Sequence, residues 1–167
     1  MRGTKWADST DFVLELIPRY EGDRPLLQQV NRKGEVVGNL SVGDGSRAVF
    51  YFDLELNSEV NMEFGFLPTL GGSRSNVHSI NDDSYAVGRS HADAADSTLH
   101  PFLWHPWHPE VGELMLNLNA ITDTQGLELI HSHPGIRTLI NNANHIVARA
   151  KEGNSTFYVL LSPVDAN

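Results

Sequence analysis

The chain has 167 residues, no cysteine and a formal net charge of −9 at pH 7. Because this charge repels phosphate groups, nucleic acid and anionic membranes are poor partners. Without cysteine the protein has no disulfide and no thiolate that could bind a metal or attack a carbonyl.

The first predicted element is a strand over residues 11–18, DFVLELIP. Asp8 and Asp11 stand where a signal peptide would have its apolar stretch, and no apolar run is long enough to span a membrane. We therefore expect a cytoplasmic protein, or an extracellular one if the sequence is a piece of a longer exported chain.

A β-hairpin is predicted over residues 30–39, VNRKGEVVGN. Asn31 can hold a chain reversal because its side chain hydrogen-bonds backbone groups two residues further on. Gly34 occupies the turn position that most needs a positive φ. An aromatic strand, RAVFYF (47–52), and one more strand, MEFGFL (62–67), follow.

The same pattern returns fifty residues later as INDDSYAVGR, residues 80–89. Asn81 again leads the turn, but Ser84 replaces the turn glycine, so we expect a looser or differently shaped second turn. HPFLWH (100–105) is again an aromatic strand, and GELMLNL (112–118) is again the additional strand.

Residues 104–112, WHPWHPEVG, form the first of two insertions into this pattern. They present Trp104, His105, Trp107 and His108 beside prolines that stiffen the chain. Rigid exposed aromatic side chains are typical of protein interfaces and sugar sites, so these four are candidate ligand-binding residues. The other interpretation is a loop packed on a neighbouring repeat or on a dimer interface.

The second insertion, residues 123–135, contains the run His-Ser-His-Pro. His131 and His133 resemble the metal-binding pair of a JAMM-type zinc isopeptidase, which also needs a serine and an aspartate at fixed later positions. Those positions hold Asn141 and Asn144, and a neutral amide cannot replace the carboxylate ligand. We reject the isopeptidase interpretation and keep both histidines as candidate ligand-binding residues.

The third hairpin, INNANHIVAR (140–149), follows the second by sixty residues because of that insertion. Asn141 leads its turn, and Asn144 occupies the position that needs a positive φ. TFYVLL (156–161) is the third aromatic strand.

Four short strands per copy, with no sustained helical period, predict an all-β protein almost free of helix. We expect one domain over 1–167 with repeats at about 11–57, 58–118 and 119–164. The predicted architecture is three four-stranded antiparallel blade-like repeats, a partial β-propeller, with a three-fold β-prism or trefoil-like arrangement as the alternative.

Three blades are too few for a closed ring, since propellers usually have about four to eight. We therefore expect either that the sequence is part of a longer protein or that two copies pair. In the pair, the strand at 11–18 would complete the last blade of the partner.

The second copy resembles the extracellular repeat of the HAF family, and the resemblance extends over about residues 12–164. The residues on the family pattern are Leu67, Thr69, Leu70, Gly71, Gly72, Ile80, Asn81, Asp82, Val87, Gly88, His100, Phe102, Leu103 and Trp104. The pattern is broken at Pro68, Ser84, Pro101 and Ala148. The resemblance implies a β-propeller or a close relative, a surface-type repeat of exported bacterial proteins, and no defined catalytic residues.

These observations predict a non-enzymatic module, without cofactor or bound metal, that recognises a protein partner through residues 104–112 and 123–135. The acidic charge favours an inhibitor or immunity-like protein for a basic toxin. One alternative is a metal-dependent hydrolase with its metal among His105, His108, His131 and His133. The other is an exported structural surface repeat.

Overall fold

The computed structural model describes residues 25–43, 45–53, 62–108, 112–130 and 137–164. For Asp53, Met62, Glu63, His108 and Gly112 it describes the backbone alone. The predicted strand at 11–18 and the candidate residues His131 and His133 lie outside these ranges.

Three antiparallel sheets follow one another along the described part of the chain. The first contains β1 (Leu26–Val30), β2 (Val36–Val42), β3 (Gly45–Asp53) and β4 (Met62–Phe66). The second contains β5 (Ser75–Ile80), β6 (Ala86–His91), β7 (Leu99–His108) and β8 (Gly112–Asn117). The third contains β9 (Glu128–Ile130), β10 (Leu139–Ile140), β11 (Ile146–Glu152) and β12 (Ser155–Leu161).

The prediction of an all-β protein with three four-stranded antiparallel sheets is confirmed. A single turn of helix, α1 (Leu118–Ile121), follows β8, and the Asn117 side chain caps it by accepting from the backbone N–H of Asn119. The first sheet ends with β4 at residue 66, so the sheets are offset from the sequence repeats, whose first boundary falls near residue 57.

The turns of the three hairpins have the same hydrogen bonds. In each, the side-chain oxygen of the leading asparagine accepts from the backbone N–H groups two and four residues later. The residue three positions after the asparagine has a positive φ: 79° at Gly34, 70° at Ser84 and 60° at Asn144.

The expectation of a looser second turn is therefore wrong. A left-handed backbone costs a non-glycine residue roughly 1–2 kcal/mol. Ser84 is buried and donates to the Glu35 carboxylate at 2.7 Å, and its hydroxyl accepts from Lys33 Nζ at 2.9 Å. A hydrogen bond to a charged group contributes about 1.5–3 kcal/mol, which is enough to offset the strain.

The first strand of each sheet deviates at the same place. The pairing of β1 with β2 slips between Leu27 and Gln29, and that of β5 with β6 slips between Val77 and Ser79. In the third sheet the slip becomes an interruption, since β9 and β10 both pair with β11. Part of the insertion predicted from the repeat spacing therefore falls, in sequence, between two strands that pair with the same neighbour.

The interrupted strand explains why Ala148 replaces the glycine of the other two copies. A Cβ at Gly88 would lie 2.0 Å from the backbone oxygen of Asn76, because the bulged strand passes directly over it. Ala148 lies between the segments of β11 that pair with β9 and β10, and none of the described residues pairs with it on that side. Its methyl group is buried.

The sheets pack face to face. We call the face that meets the preceding sheet the front and the face that meets the following sheet the back. Val37, Ala48 and Phe50 on the back of the first sheet form one core with the front of the second, which contributes Val77, Ile80, Ala86, Phe102 and Trp104. The back of the second sheet forms the next core with the front of the third, and its buried residues are Val87, Leu118, Leu129, Ile140, Ile146, Ala148 and Ala150.

The leading asparagines link the sheets across these junctions. The side-chain amide of Asn31 donates to the backbone oxygen of Asn81 at 2.9 Å, and the amide of Asn81 donates to the backbone oxygen of Asn141 at 3.1 Å. Each hydrogen bond pairs an amide with a backbone oxygen at the edge of a core. Because the two groups meet in only one alignment of the turns, the bond fixes how the turns stack.

Across the described ranges, no helix has the length and apolar character needed to cross a membrane.

Candidate binding cleft between the first two sheets

The candidate site lies where the outer part of β7 meets the back of the first sheet. The pairing of β7 with β8 is regular up to His105 and resumes at His108. This irregularity frees Pro106 and Trp107 from the ladder and turns the second tryptophan toward the first sheet.

Trp104 is buried and forms the floor of the site. Its indole N–H donates to Glu113 Oε1 at 3.1 Å, and its ring meets Phe50 edge-on at 5.1 Å between centroids. A buried indole N–H needs a hydrogen-bond acceptor, and the carboxylate of Glu113 on the neighbouring strand β8 is that acceptor. The hydrogen bond holds both the indole ring and the carboxylate in place.

Trp107 forms the wall and is 55% exposed. Its ring meets Phe50 at 5.9 Å and Phe52 at 5.4 Å, with interplanar angles of 69° and 86°. Each such edge-to-face pair contributes about 0.5–1.5 kcal/mol, so two of them hold the ring in a defined position while one face remains open to solvent.

Between these rings is a cleft of about 160 Å³. Its lining residues are Phe50, Phe52, Gly65, Phe66, Trp104, Pro106, Trp107 and Glu113. Among the described residues, the cleft therefore combines aromatic walls with a single carboxylate. That composition suits an apolar group with a cation or a hydrogen-bond donor beside it.

His105 holds the backbone of Trp107 in position. Its Nδ1 accepts from the backbone N–H of Trp107 at 3.1 Å, so the proton is on Nε2, which lies 3.0 Å from the backbone oxygen of Asp83. The imidazole also packs on Tyr85 at 4.6 Å. With both nitrogens engaged, this ring has no free lone pair for a metal ion.

The predicted histidine cluster is only partly within the structure. The backbone of His108 pairs with Gly112, and its side chain is not described. His131 and His133 lie outside the described residues. Within the described ranges, no group of three or more histidine, aspartate or glutamate side chains is arranged to hold a metal ion.

Sequence reasoning identified Trp104 and Trp107 but not the phenylalanines that hold them. The sequence pattern predicts only that Phe50 and Phe52 belong to an aromatic strand. Their spacing of two residues places both on one face of β3, and that was the available signal. Which sheet that face meets depends on packing between repeats, and the strand pattern does not specify it.

A larger cleft of about 280 Å³ lies between the second and third sheets, beside α1. It is lined mostly by aliphatic side chains, with Tyr85, Thr122, Asn144 and Ser162 as its polar members. We favour the tryptophan cleft as the candidate site, because it pairs a held and exposed aromatic ring with a fixed charge.

No protein-family model, no curated protein and no solved structure matches the chain.

Proposed function

We propose that the chain is a non-enzymatic binding module that recognises a protein partner through the tryptophan cleft. The observation that carries the proposal is Trp107, a large ring that is more than half exposed although two phenylalanines fix its position. A pre-positioned aromatic side chain binds without the entropy cost of ordering a flexible one, and such residues are typical hot spots of interfaces.

The charge distribution favours a basic partner. Glu113 provides a carboxylate inside the cleft, and the net charge of −9 attracts a cation over longer distances. An apolar side chain of the partner would enter between the rings while a neighbouring lysine or arginine approaches Glu113. An inhibitor or immunity-like protein for a basic toxin has this chemistry.

We further propose that the three sheets are a partial β-propeller of the kind implied by the resemblance to the HAF repeat. Face-to-face packing of successive four-stranded sheets, with one asparagine amide linking the hairpin turns at each junction, supports this architecture. A β-prism or trefoil-like arrangement is the alternative.

The test of the proposed function is capture of partners from a lysate of the source organism by the wild-type chain, Trp107→Ala and Ile121→Ala. Ile121 has a similar exposed fraction, 50%, and lies outside the cleft. Loss of a hot spot costs at least about 2 kcal/mol, so Trp107→Ala should weaken partner binding about thirtyfold. Ile121→Ala should bind as the wild type does.

Equal binding by Trp107→Ala would contradict the proposal. A ligand that proves to be a glycan, bound through Trp107, would keep the cleft but replace the protein partner. Thermal unfolding of each variant separates a lost contact from a lost fold.

The metal-dependent hydrolase is the competing function, because His131 and His133 lie outside the described residues. Elemental analysis of the purified protein discriminates the two functions. Stoichiometric zinc or manganese that His131→Ala abolishes would favour the hydrolase. An exported structural surface repeat would have neither metal nor a specific partner.

A further inference from the structure

A further pocket lies at the junction of the first two sheets, at the end away from the tryptophan cleft. The cleft uses the later residues of β3 and β7, from Phe50 and from Trp104 onward, whereas this pocket lies beside the first residues of both strands. Its volume is about 310 Å³. We call it the arginine pocket, and its described lining residues are Gly45, Ser46, Arg74, Ser75, Asn76, Arg89, His91 and Leu99.

The described lining of the arginine pocket contains two arginines and a histidine but no carboxylate. Asp96, which lies outside the lining, already pairs with two of these side chains. One of its carboxylate oxygens lies 3.7 Å from Arg74 Nε, and the other lies 3.1 Å from His91 Nδ1. Arg89 differs from both, because it has no ion-pair partner among the described residues.

Arg89 is held by a hydrogen bond that leaves the end of its guanidinium free. It lies on β6, and its Nε donates to Asn76 Oδ1 on the neighbouring strand β5 at 3.2 Å. Its two Nη groups have no hydrogen-bond partner among the described residues, and neither group is buried. The paired Nη donors form the planar fork that binds two oxygens of a carboxylate or a phosphate at once.

Asn76 connects Arg89 to a second donor on the first sheet. The Asn76 Nδ2 donates to the hydroxyl oxygen of Ser46 on β3 at 2.8 Å. Because that oxygen accepts, the hydroxyl proton of Ser46 can be donated elsewhere, and it has no acceptor among the described residues. One amide thus fixes an arginine of the second sheet and a serine of the first. Donors that are already in place bind a ligand at a lower entropy cost.

The burial of Arg89 favours an anionic ligand. The side chain is half-buried, and this burial lowers the pKa of its guanidinium, which still carries its charge at neutral pH. Burying a charge costs free energy, and no carboxylate among the described residues offsets that cost. The net charge of −9 opposes an anion at long range, but salt screens this repulsion beyond about 8 Å at physiological ionic strength. Contacts inside the pocket therefore decide binding.

We propose that the arginine pocket binds an oxyanion group, the carboxylate or phosphate of a small molecule. Two oxygens of the group accept from the Nη fork of Arg89, and the Ser46 hydroxyl donates to the same group. The pocket is larger than the oxyanion group itself, so the ligand is a small organic acid or phosphate ester. The proposal goes beyond the proposed function and is independent of it, because the pocket and the tryptophan cleft share no described lining residue.

The experiment is an NMR titration of the isotope-labelled full chain at neutral pH with sodium phosphate and, separately, with sodium acetate. Sodium chloride keeps the ionic strength constant. The Arg89 Nε–H and the backbone amides of Ser46 and Asn76 should shift and saturate, with half-saturation at about 1–10 mM for at least one anion. Saturation by phosphate alone would assign a phosphate ligand, and saturation by acetate alone would assign a carboxylate. Saturation by both would support the shared oxyanion chemistry.

Two variants and one control test the contacts. Arg89→Gln removes the fork and Ser46→Ala removes the hydroxyl, and each should raise the half-saturating concentration at least about tenfold. Arg149→Gln is the matched control, because Arg149 has the same place in the third hairpin and does not line the pocket. It should bind as the wild type does.

A wild type without saturable shifts for either anion would overturn the proposal. Unchanged half-saturation in Arg89→Gln would also overturn it. The dispersion of each spectrum shows whether the variant is folded. If Arg89→Gln does not fold, Ser46→Ala decides the outcome, and wild-type binding by that variant would contradict the proposed site.

Discussion

Ser84 donates its hydroxyl proton to the carboxylate of Glu35 at 2.7 Å, although 49 residues separate them in the chain. The contact joins the turn of the second hairpin to a buried acid of the first. It allows a serine to occupy a left-handed position where the first hairpin has glycine.

We expect Ser84→Gly to be less stable than the wild type and Ser84→Ala to be less stable still. Glycine relieves the backbone strain but loses the hydroxyl, while alanine loses the hydroxyl and keeps the strain. Both variants remove the Ser84 donor and leave the Asn31 amide as the remaining buried donor to Glu35, so the alanine variant should lose about 1–3 kcal/mol. Urea unfolding midpoints measure the order, and an alanine variant as stable as the glycine variant would contradict it.

The sequence was sufficient for the hairpins because the signals are local. An asparagine side chain bonds its own turn, and alternation of apolar residues assigns the faces of a strand. The structure has these turns at Asn31, Asn81 and Asn141. The prediction of a looser second turn is wrong because Glu35, which compensates the backbone strain at Ser84, lies in the preceding repeat.

For the candidate site, too, the sequence predicts the local part and not the contacts between repeats. Trp107 stands out within its own insertion, between two prolines. Its support comes from Phe50 and Phe52 of another sheet, and no local pattern specifies which faces meet. The packing of one repeat on the next depends on residues that are distant in the chain, so the pattern within each repeat does not specify it.

Gly88→Ala should be strongly destabilising. Its Cβ would overlap the backbone oxygen of Asn76 at 2.0 Å, and backbone atoms in a paired strand cannot move aside easily. We expect a loss of at least about 2–3 kcal/mol, as for overpacked cores. Gly65→Ala is the matched control in β4, since nothing lies within 4 Å of its Cβ position. Thermal midpoints compare the two, and a similar loss in both would contradict the explanation.

Asp93 should titrate with a pKa of about 2, well below the ordinary value of 3.8. The backbone N–H of Ser97 lowers the pKa most, and the Ser97 hydroxyl and the Thr98 groups add to it. Because the pKa is depressed in the folded state, its contribution to stability is complete above about pH 4 and is lost as the pH falls through 2.

A carboxyl NMR titration measures this pKa directly. Ser97→Ala removes the hydroxyl contact and should move the pKa of Asp93 upward, toward 3.8. A pKa of Asp93 that does not respond to Ser97→Ala would show that the hydroxyl is not a cause.

Asn81→Asp should cost far more stability than Asn141→Asp. Either aspartate can still accept the two N–H bonds of its turn. At position 81, however, a buried carboxylate would replace an amide that donates to the Asn141 oxygen, and we expect a loss of at least about 2–3 kcal/mol. Asn141 is exposed, so its loss should be small. Urea unfolding midpoints measure both losses, and equal losses at the two positions would mean that the amide link between turns contributes nothing.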